Sequence, residues 1–204
     1  MKQKIILILL AMMPLALFAQ SQKDAVKVLD KTAATLRNAG GLKMGYTLTT
    51  KGSINGTLKM KGNKFVNNMG STIVWYNGRT MWTLIKENEE VNVTNPSAKE
   101  IAKVNPYAVL GLYKQGYNVK FTGKSNAQNY EILLTAKDAR SSIKSILLRI
   151  GRHSYRPAFA RVTGSDGSTM DITVTSFAKN QPFTDATFTF NSKSYPDYDV
   201  IDLR

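Results

Sequence analysis

The stretch IVWYNGRTMWTL, residues 73–84, decides the fold of this chain. Asn77-Gly78 permits positive φ at both central positions of a type I′ turn, so the flanking runs are predicted to pair as antiparallel strands. Alternation then gives each face of the hairpin four apolar side chains: Ile73, Trp75, Trp82 and Leu84 on one, and Val74, Tyr76, Met81 and Ile85 on the other. Because both faces are apolar, the hairpin either lies between two apolar layers or lines a cavity for an apolar guest.

The first residues have the layout of an export signal. Lys2 and Lys4 precede an apolar run from Ile5 to Phe18, and cleavage is expected after Ala19. A retained membrane anchor is the alternative, but the run is shorter than the ~20 residues that a spanning helix needs. We therefore expect a cleaved signal peptide, residues 1–19, followed by one exported, soluble, periplasmic domain, residues 20–204.

The mature chain is strongly basic and contains no cysteine. Loss of Lys2 and Lys4 leaves 26 basic and 14 acidic side chains, a formal charge of +12. No nucleic-acid recognition signature accompanies the lysines, so nucleic acid is not an expected partner. An anionic membrane surface, an acidic protein partner and a merely solvated surface all remain compatible with this charge.

Periodicity predicts a mostly β fold with three helices. Residues 24–38 form an amphipathic helix with Ser21 or Asp24 as N-cap, and Gly40-Gly41 ends it. Asn95-Pro96 and Asn105-Pro106 each open a short helix in mid-chain, with the asparagine as N-cap. The remaining alternating segments, which include Phe188 with Phe190 and Val200 to Leu203, give about eleven strands. We predict an unclosed antiparallel β-barrel, a half-barrel, covered by a helical lid.

The sequence contains none of the usual catalytic or metal-binding patterns. His153 is the only histidine and has no cysteine to join it as a metal ligand. Ser154 adjoins it, but no nucleophile elbow is present. The carboxylates of Asp197, Asp199 and Asp202 are read as balancing local basic residues. The chain is predicted to be no enzyme and to need no cofactor or metal.

Four segments resemble a known family in their order and spacing. They are YNGRTMW (76–82), EEVNVTNPS (89–97), NPYAVLGLYKQGY (105–117) and FTDATFTFNSKSYPDYDVIDLR (183–204). Together with the export signal, they resemble the periplasmic lipoprotein carriers of the LolA type. The resemblance implies a half-barrel whose helical lid closes over lipoprotein acyl chains. Enterobacterial members latch the lid with an arginine on the strand that leads to the position of Phe65, where this chain offers Lys61 and Lys64.

Two sets of apolar residues follow from this interpretation. The acyl-chain cavity is predicted to include Met44, Met60, Ile73, Trp75, Trp82 and Leu84. The lid helices are predicted to contribute Leu29, Leu36, Tyr107, Leu110 and Tyr113. Methionine suits a wall that adapts to an irregular guest, although any single one is more often core filler.

The leading hypothesis is a monomeric carrier that ferries acylated lipoproteins from the inner to the outer membrane. Its implied partners are the acylated lipoproteins, an inner-membrane lipoprotein-releasing transporter, an unidentified outer-membrane acceptor and, transiently, the membrane surface. The alternative is a cell-envelope sensor or regulator on the same half-barrel, which would bind a polypeptide whether or not it is acylated.

Overall fold

The first described element is an amphipathic helix, α1, over residues 21–37. The computed structural model describes residues 21–97, 100–101, 113–114 and 116–204, so the predicted signal peptide lies outside the described residues. The helix is confirmed, but Ser21 and Asp24 are already helical and neither is its N-cap. Gly40, at φ 69°, follows the last turn, as the glycine pair predicts. Within the described residues, no helix combines the length and apolar character required to cross a bilayer.

Twelve strands follow α1. Their bounds are β1 Leu42–Thr49, β2 Ser53–Lys61, β3 Lys64–Asn68, β4 Thr72–Tyr76, β5 Met81–Ile85, β6 Glu90–Thr94, β7 Tyr117–Phe121, β8 Asn129–Ala136, β9 Ile143–Gly151, β10 Pro157–Gly164, β11 Thr169–Ala178 and β12 Asp199–Asp202.

All twelve strands belong to one open sheet in the order β12-β6-β5-β4-β3-β2-β1-β11-β10-β9-β8-β7. The predicted unclosed, mostly β fold is therefore confirmed, with twelve strands instead of about eleven. Every pair is antiparallel except β12 with β6, which is parallel. The long-range pair β1–β11 joins the N-terminal meander, β1–β6, to the C-terminal one, β7–β11.

The central hairpin forms, but its turn differs from the prediction. Residues 77–80 all lie in the loop, and Gly78 alone among them has positive φ, at 100°. The Oδ1 atom of Asn77 accepts hydrogen bonds from the backbone N–H of Arg79, at 3.0 Å, and of Thr80, at 2.9 Å. The type I′ prediction is wrong because the Asn77 side chain organises a four-residue loop instead.

The wider loop leaves the faces of the hairpin as predicted. Ile73 pairs with Leu84 and Trp75 pairs with Trp82, so these four share one face, while Tyr76 and Met81 pair on the other. The register differs from that of a two-residue loop by an even number of residues, and such a shift moves no side chain across the sheet.

The segment after Asn95-Pro96 is capped by a different residue from the predicted one. The hydroxyl and backbone N–H of Ser97 both donate to Oε2 of Glu100, at 2.8 Å, and the N–H of Ile101 donates to the Ser97 carbonyl. The backbone N–H of Glu100 donates in return to the Ser97 hydroxyl at 3.4 Å, which completes a capping box with Ser97 as N-cap. Asn95 instead accepts a hydrogen bond from the Thr80 hydroxyl. The second predicted Asn-Pro helix lies almost wholly outside the described residues.

One face of the sheet, the inner face, carries a continuous apolar surface. On β7–β10 it packs beneath α1, where Ala25 and Leu29 are fully buried. Across β1–β4 it continues as a second cluster around Phe65. Ala160 and Met170 contact both clusters and so join them. The described part of α1 therefore covers one half of a much longer apolar surface.

The opposite, outer face of β3–β6 is covered by residues 183–198, which we call the C-terminal strap. Phe188 is fully buried there, and the ring of Trp75 meets the rings of Phe190 and Tyr195 edge-on, with centroids 5.5 and 5.7 Å away. Phe188, predicted in a strand, ends a short 3₁₀ helix, Asp185–Phe188. A strand would not bring this ring edge-on to Phe183, at 5.8 Å, within the same cluster. The second apolar face of the hairpin therefore belongs to a packed layer.

A buried carboxylate on β8 predicts a pH-dependent contribution to stability. Glu131 is 5% exposed and accepts hydrogen bonds from Arg149 Nε, at 2.8 Å, and from the Thr122 hydroxyl, at 2.7 Å. These bonds, Arg149 first, lower the pKa of the Glu131 carboxyl. Since the folded-state pKa is depressed, the stabilisation is present above the unfolded pKa of about 4.3 and is lost as pH falls through the folded value.

We expect Glu131→Gln to lower the free energy of unfolding by about 1–3 kcal/mol near neutral pH, because the neutral amide weakens the bond from Arg149 or Thr122 that it keeps and cannot accept the other. The deficit should shrink as the pH falls below about 4. Urea unfolding at a series of pH values measures this, with the exposed turn substitution Glu87→Gln as control. A deficit that stays constant across the acid range would contradict the role of the ionised carboxylate.

Candidate functional site

A cavity of about 500 Å³ opens where the end of α1 meets the start of β1 and the end of β2. This volume lies within the range typical of small-molecule sites. Its described lining consists of Ala33, Leu36, Arg37, Ala39, Gly40, Gly41, Leu42, Met60, Lys61, Gly62, Tyr113 and Lys114. Apolar side chains and bare backbone form the floor, and the long charged side chains are exposed at the rim.

Two glycines fix the wall between α1 and β1. Gly41 has φ 148°, and a Cβ atom there would lie 2.2 Å from the carbonyl oxygen of Gln181. The close approach lets the backbone N–H of Gln181 donate to the Gly41 carbonyl at 3.1 Å, and that of Asn180 donate to the Ala39 carbonyl at 2.8 Å. The chain that leads into the C-terminal strap is thereby bonded directly to the cavity wall.

The side of the cavity nearest α1 contains a tyrosine and a lysine that share one carboxylate. The Tyr113 hydroxyl donates to Asp30 at 2.6 Å, and Lys114 lies 3.5 Å from the same oxygen. Burial, followed by the bond to Asp30, raises the pKa of Tyr113 well above its usual range, while the nearby charge of Arg37 acts in the opposite direction. The phenol is therefore a neutral, firmly held part of the wall.

The structure separates the six residues predicted to line the cavity. Met44 and Met60 lie on the inner face, and Met60 also lines the 500 Å³ cavity. The other four, Ile73, Trp75, Trp82 and Leu84, lie on the outer face against the strap. The six residues therefore cannot surround one guest, because the sheet stands between the two groups. Binding of acyl chains by any of them remains a prediction.

The predicted lid residues fall into three groups. Leu29 is fully buried between α1 and the sheet, while Leu36 is half-buried and lines the cavity. Tyr113 is buried and contributes to both the core and the cavity. Tyr107 and Leu110 lie outside the described residues. Arg37 and the glycine pair were not among the predicted site residues, although the helix stop at Gly40-Gly41 was the available signal.

Lys61 and Lys64 lie near the position that the resemblance assigns to the arginine that latches the lid. Both lysines contact the strap. Lys61 Nζ donates to the Phe183 carbonyl at 2.7 Å. Lys64 forms an ion pair with Asp185 at 2.7 Å, which lowers the pKa of that carboxyl. Both lysines tie β2 and β3 to the C-terminal strap.

No cluster suited to a metal ion is present in the described ranges, where no three His, Asp or Glu side chains converge. The features that define this molecule are an open β-sheet, a helix over part of its apolar inner face, and a cavity where the helix ends. A family model described as outer membrane lipoprotein carrier protein LolA matches residues 15–167. The chain belongs to this family, and the resemblance predicted from its motifs is confirmed.

Solved structures resemble this chain at low sequence identity, and the first of those reported below has the same fold. An uncharacterized conserved protein from Thermus thermophilus is 11% identical over 88% of this chain and 99% of its own, with a TM-score of 0.63. A putative outer membrane lipoprotein-sorting protein domain from Vibrio parahaemolyticus is 10% identical over 85% and 99%, with a TM-score of 0.49. Lipoprotein LppX from Mycobacterium tuberculosis is 14% identical over 80% and 99%, with a TM-score of 0.48. Comparison with curated proteins yields no match.

Proposed function

We propose that this chain is a periplasmic carrier that takes the acyl chains of lipoproteins into the cavity at the end of α1, along the apolar inner face of the sheet, and ferries them from the inner to the outer membrane. The observation that carries the proposal is the inner face itself. Its apolar surface runs from beneath α1 to β4, and the 500 Å³ cavity opens beside it through Leu42 and Met60. Family membership supports the same assignment.

The energetics of acylated cargo explain why such a space is needed. Each methylene group buried from water contributes roughly 0.8 kcal/mol, so a lipoprotein with two or three chains leaves a bilayer unaided extremely slowly. A carrier lowers this cost by offering an alternative apolar surface, and it must still release the cargo. Half-buried Met60, with its flexible and polarizable side chain, suits a wall that adapts to the guest.

The direct test is release of cargo from its membrane of origin. When the purified protein is added to spheroplasts of its host, newly made acylated lipoproteins should appear in the soluble fraction in complex with it. Lipoproteins whose acylated cysteine has been replaced should not require the purified protein for their release. The inner-membrane releasing transporter and the outer-membrane acceptor then become the partners to identify. We expect the carrier itself to be a monomer in its complex with the lipoprotein. Absence of acylation-dependent release from competent spheroplasts would refute the carrier.

One observation favours the alternative of an envelope sensor or regulator. Among the described residues, large apolar side chains that stand exposed concentrate at the β12 edge, where Val200 is 52% and Leu203 61% exposed. An open apolar edge strand is a surface on which an extended peptide can add as a further strand. A regulator would bind its polypeptide equally well with and without acyl chains, so the same comparison of acylated and unacylated ligand separates the two functions.

A further inference from the structure

We propose that the cavity at the end of α1 binds the acidic headgroup of an amphiphile, with Arg37 and Lys61 as its ligands, so that the carrier prefers anionic lipid moieties to neutral ones. The inference goes beyond the proposed function, because the lipid group of an acylated lipoprotein carries no acidic headgroup, and it names a further class of ligand for the same cavity. It concerns selection among lipids that all carry an acyl chain.

The charge distribution around the cavity is one-sided. Three of its described lining residues are cationic, Arg37, Lys61 and Lys114, and none is acidic. Lys114 is partly compensated by Asp30, 3.5 Å away. Lys61 donates to a neutral carbonyl and also attracts the Asp185 carboxylate, whose ion pair is with Lys64. Among the described residues, Arg37 takes part in no ion pair. Two cations without an ion pair of their own, Arg37 and Lys61, therefore line one opening.

The arrangement of apolar and cationic groups fits an amphiphile. Leu36, Leu42 and Met60 supply an apolar floor that continues into the inner face, whereas Arg37 and Lys61 are exposed at the rim. A guest with its chain on this floor would have its polar end between the two cations. A guanidinium binds a phosphate or carboxylate through two parallel hydrogen bonds, and the ammonium of Lys61 adds a second charge.

The two cations come from elements whose positions the fold holds fixed. Arg37 is the last helical residue of α1, just before the glycine pair, and Lys61 ends β2. The contact of Lys61 with the Phe183 carbonyl holds its ammonium at the cavity while leaving donors free for a guest. The Lys61 ammonium is consequently in place before any ligand arrives, and the Arg37 side chain extends from a fixed helix end.

The test compares three probes that share one chain and differ in headgroup: dodecyl phosphate, dodecylphosphocholine and dodecyl maltoside, each below its critical micelle concentration. Calorimetry with the purified protein should show dodecyl phosphate binding about tenfold more tightly than the other two. Arg37→Gln and Lys61→Gln should each reduce that preference several-fold. Lys144→Gln removes the same charge from an exposed position of β9 outside the cavity lining and should leave the preference intact.

The outcomes separate this inference from the proposed function. Equal binding of all three probes would overturn the headgroup preference but would not contradict the carrier function. Binding of none of them would refute both the headgroup preference and the uptake of acyl chains by this cavity. Inorganic phosphate that binds as tightly as dodecyl phosphate would identify a site for free anions and overturn the amphiphile. Thermal unfolding of each variant confirms that a lost preference does not reflect a lost fold.

Discussion

Substitution of Gly56 by alanine should destabilise the protein by about 1–3 kcal/mol or more, because an added Cβ has no space at this point of the sheet. Gly56 on β2 lies directly opposite Tyr46 on β1. A Cβ atom at position 56 would lie 2.2 Å from Cζ and 2.5 Å from the hydroxyl oxygen of Tyr46. The ring covers the glycine, an arrangement that recurs where an aromatic residue faces glycine across two strands.

The Tyr46 ring cannot turn aside without further loss. It is 2% exposed in the inner-face cluster, and its hydroxyl donates to Oδ1 of Asn67 at 2.7 Å. Displacing the ring would break this buried hydrogen bond as well as the packing around it. Since the same cluster forms the apolar inner face, we also expect the variant to bind acyl-chain probes less tightly.

A double-mutant cycle isolates the clash. In a Tyr46→Leu background the ring atoms near position 56 are gone, so Gly56→Ala should have little additional effect on the free energy of unfolding measured with urea. Gly52→Ala is the matched control, since its added Cβ would meet no atom within 4 Å. Equal losses from Gly56→Ala in both backgrounds would show that the ring is not the cause.

Much of the fold follows from local patterns in the sequence. The alternating meander, the apolar stripe of α1 and the turn signals all predict elements that the structure contains. The assignment of side chains to the two faces of the hairpin survived an incorrect turn, because face depends only on the parity of the register. Local patterns are sufficient wherever one residue's environment is set by its near neighbours in the chain.

What the sequence did not predict depends on distant parts of the chain. The apolar outer face of the hairpin indicated a covering layer or a cavity, but nothing local identified the strap as that layer. Phe188 and Phe190 alternate as strand residues do, yet burial of Phe188 against β3–β6 produces a 3₁₀ turn. Ser97 with Glu100 was a readable capping box, which the Asn-Pro pair obscured.

The location of the cavity is likewise a product of topology. Leu36 and Arg37 meet Met60 because β1 follows α1 after the glycine pair and then pairs with β2. The sequence predicted that Met60 and Leu36 belong to an apolar site, and the structure brings these two together. It leaves Trp75 and Trp82 on the far side of the sheet, where a packed aromatic cluster accounts for them.

Substitution of Met60 by glutamate should reduce the binding of an acylated lipopeptide at least tenfold while the protein stays folded. Met60 is half-buried and lines the cavity, so a carboxylate there would lose hydration when an acyl chain is seated. It would also repel an anionic headgroup and offset the charge of neighbouring Lys61. In the absence of ligand the new carboxylate can turn toward solvent and the lysine, which limits its effect on folding.

Two variants make this experiment decisive when affinity is measured by titration calorimetry. Met60→Leu conserves volume and apolar character and should bind as the parent does. Ile54→Glu adds the same charge to the same strand at a position already 47% exposed and outside the cavity lining, so it should leave binding unchanged. If Met60→Glu binds the lipopeptide as tightly as the parent, acyl chains do not enter this cavity.

The outer-face set around Trp75 and Trp82 would then become the remaining candidate site. Acyl chains could reach it only if the strap moves away from the sheet. Lys64→Gln, which removes the ion pair with Asp185, would test that movement.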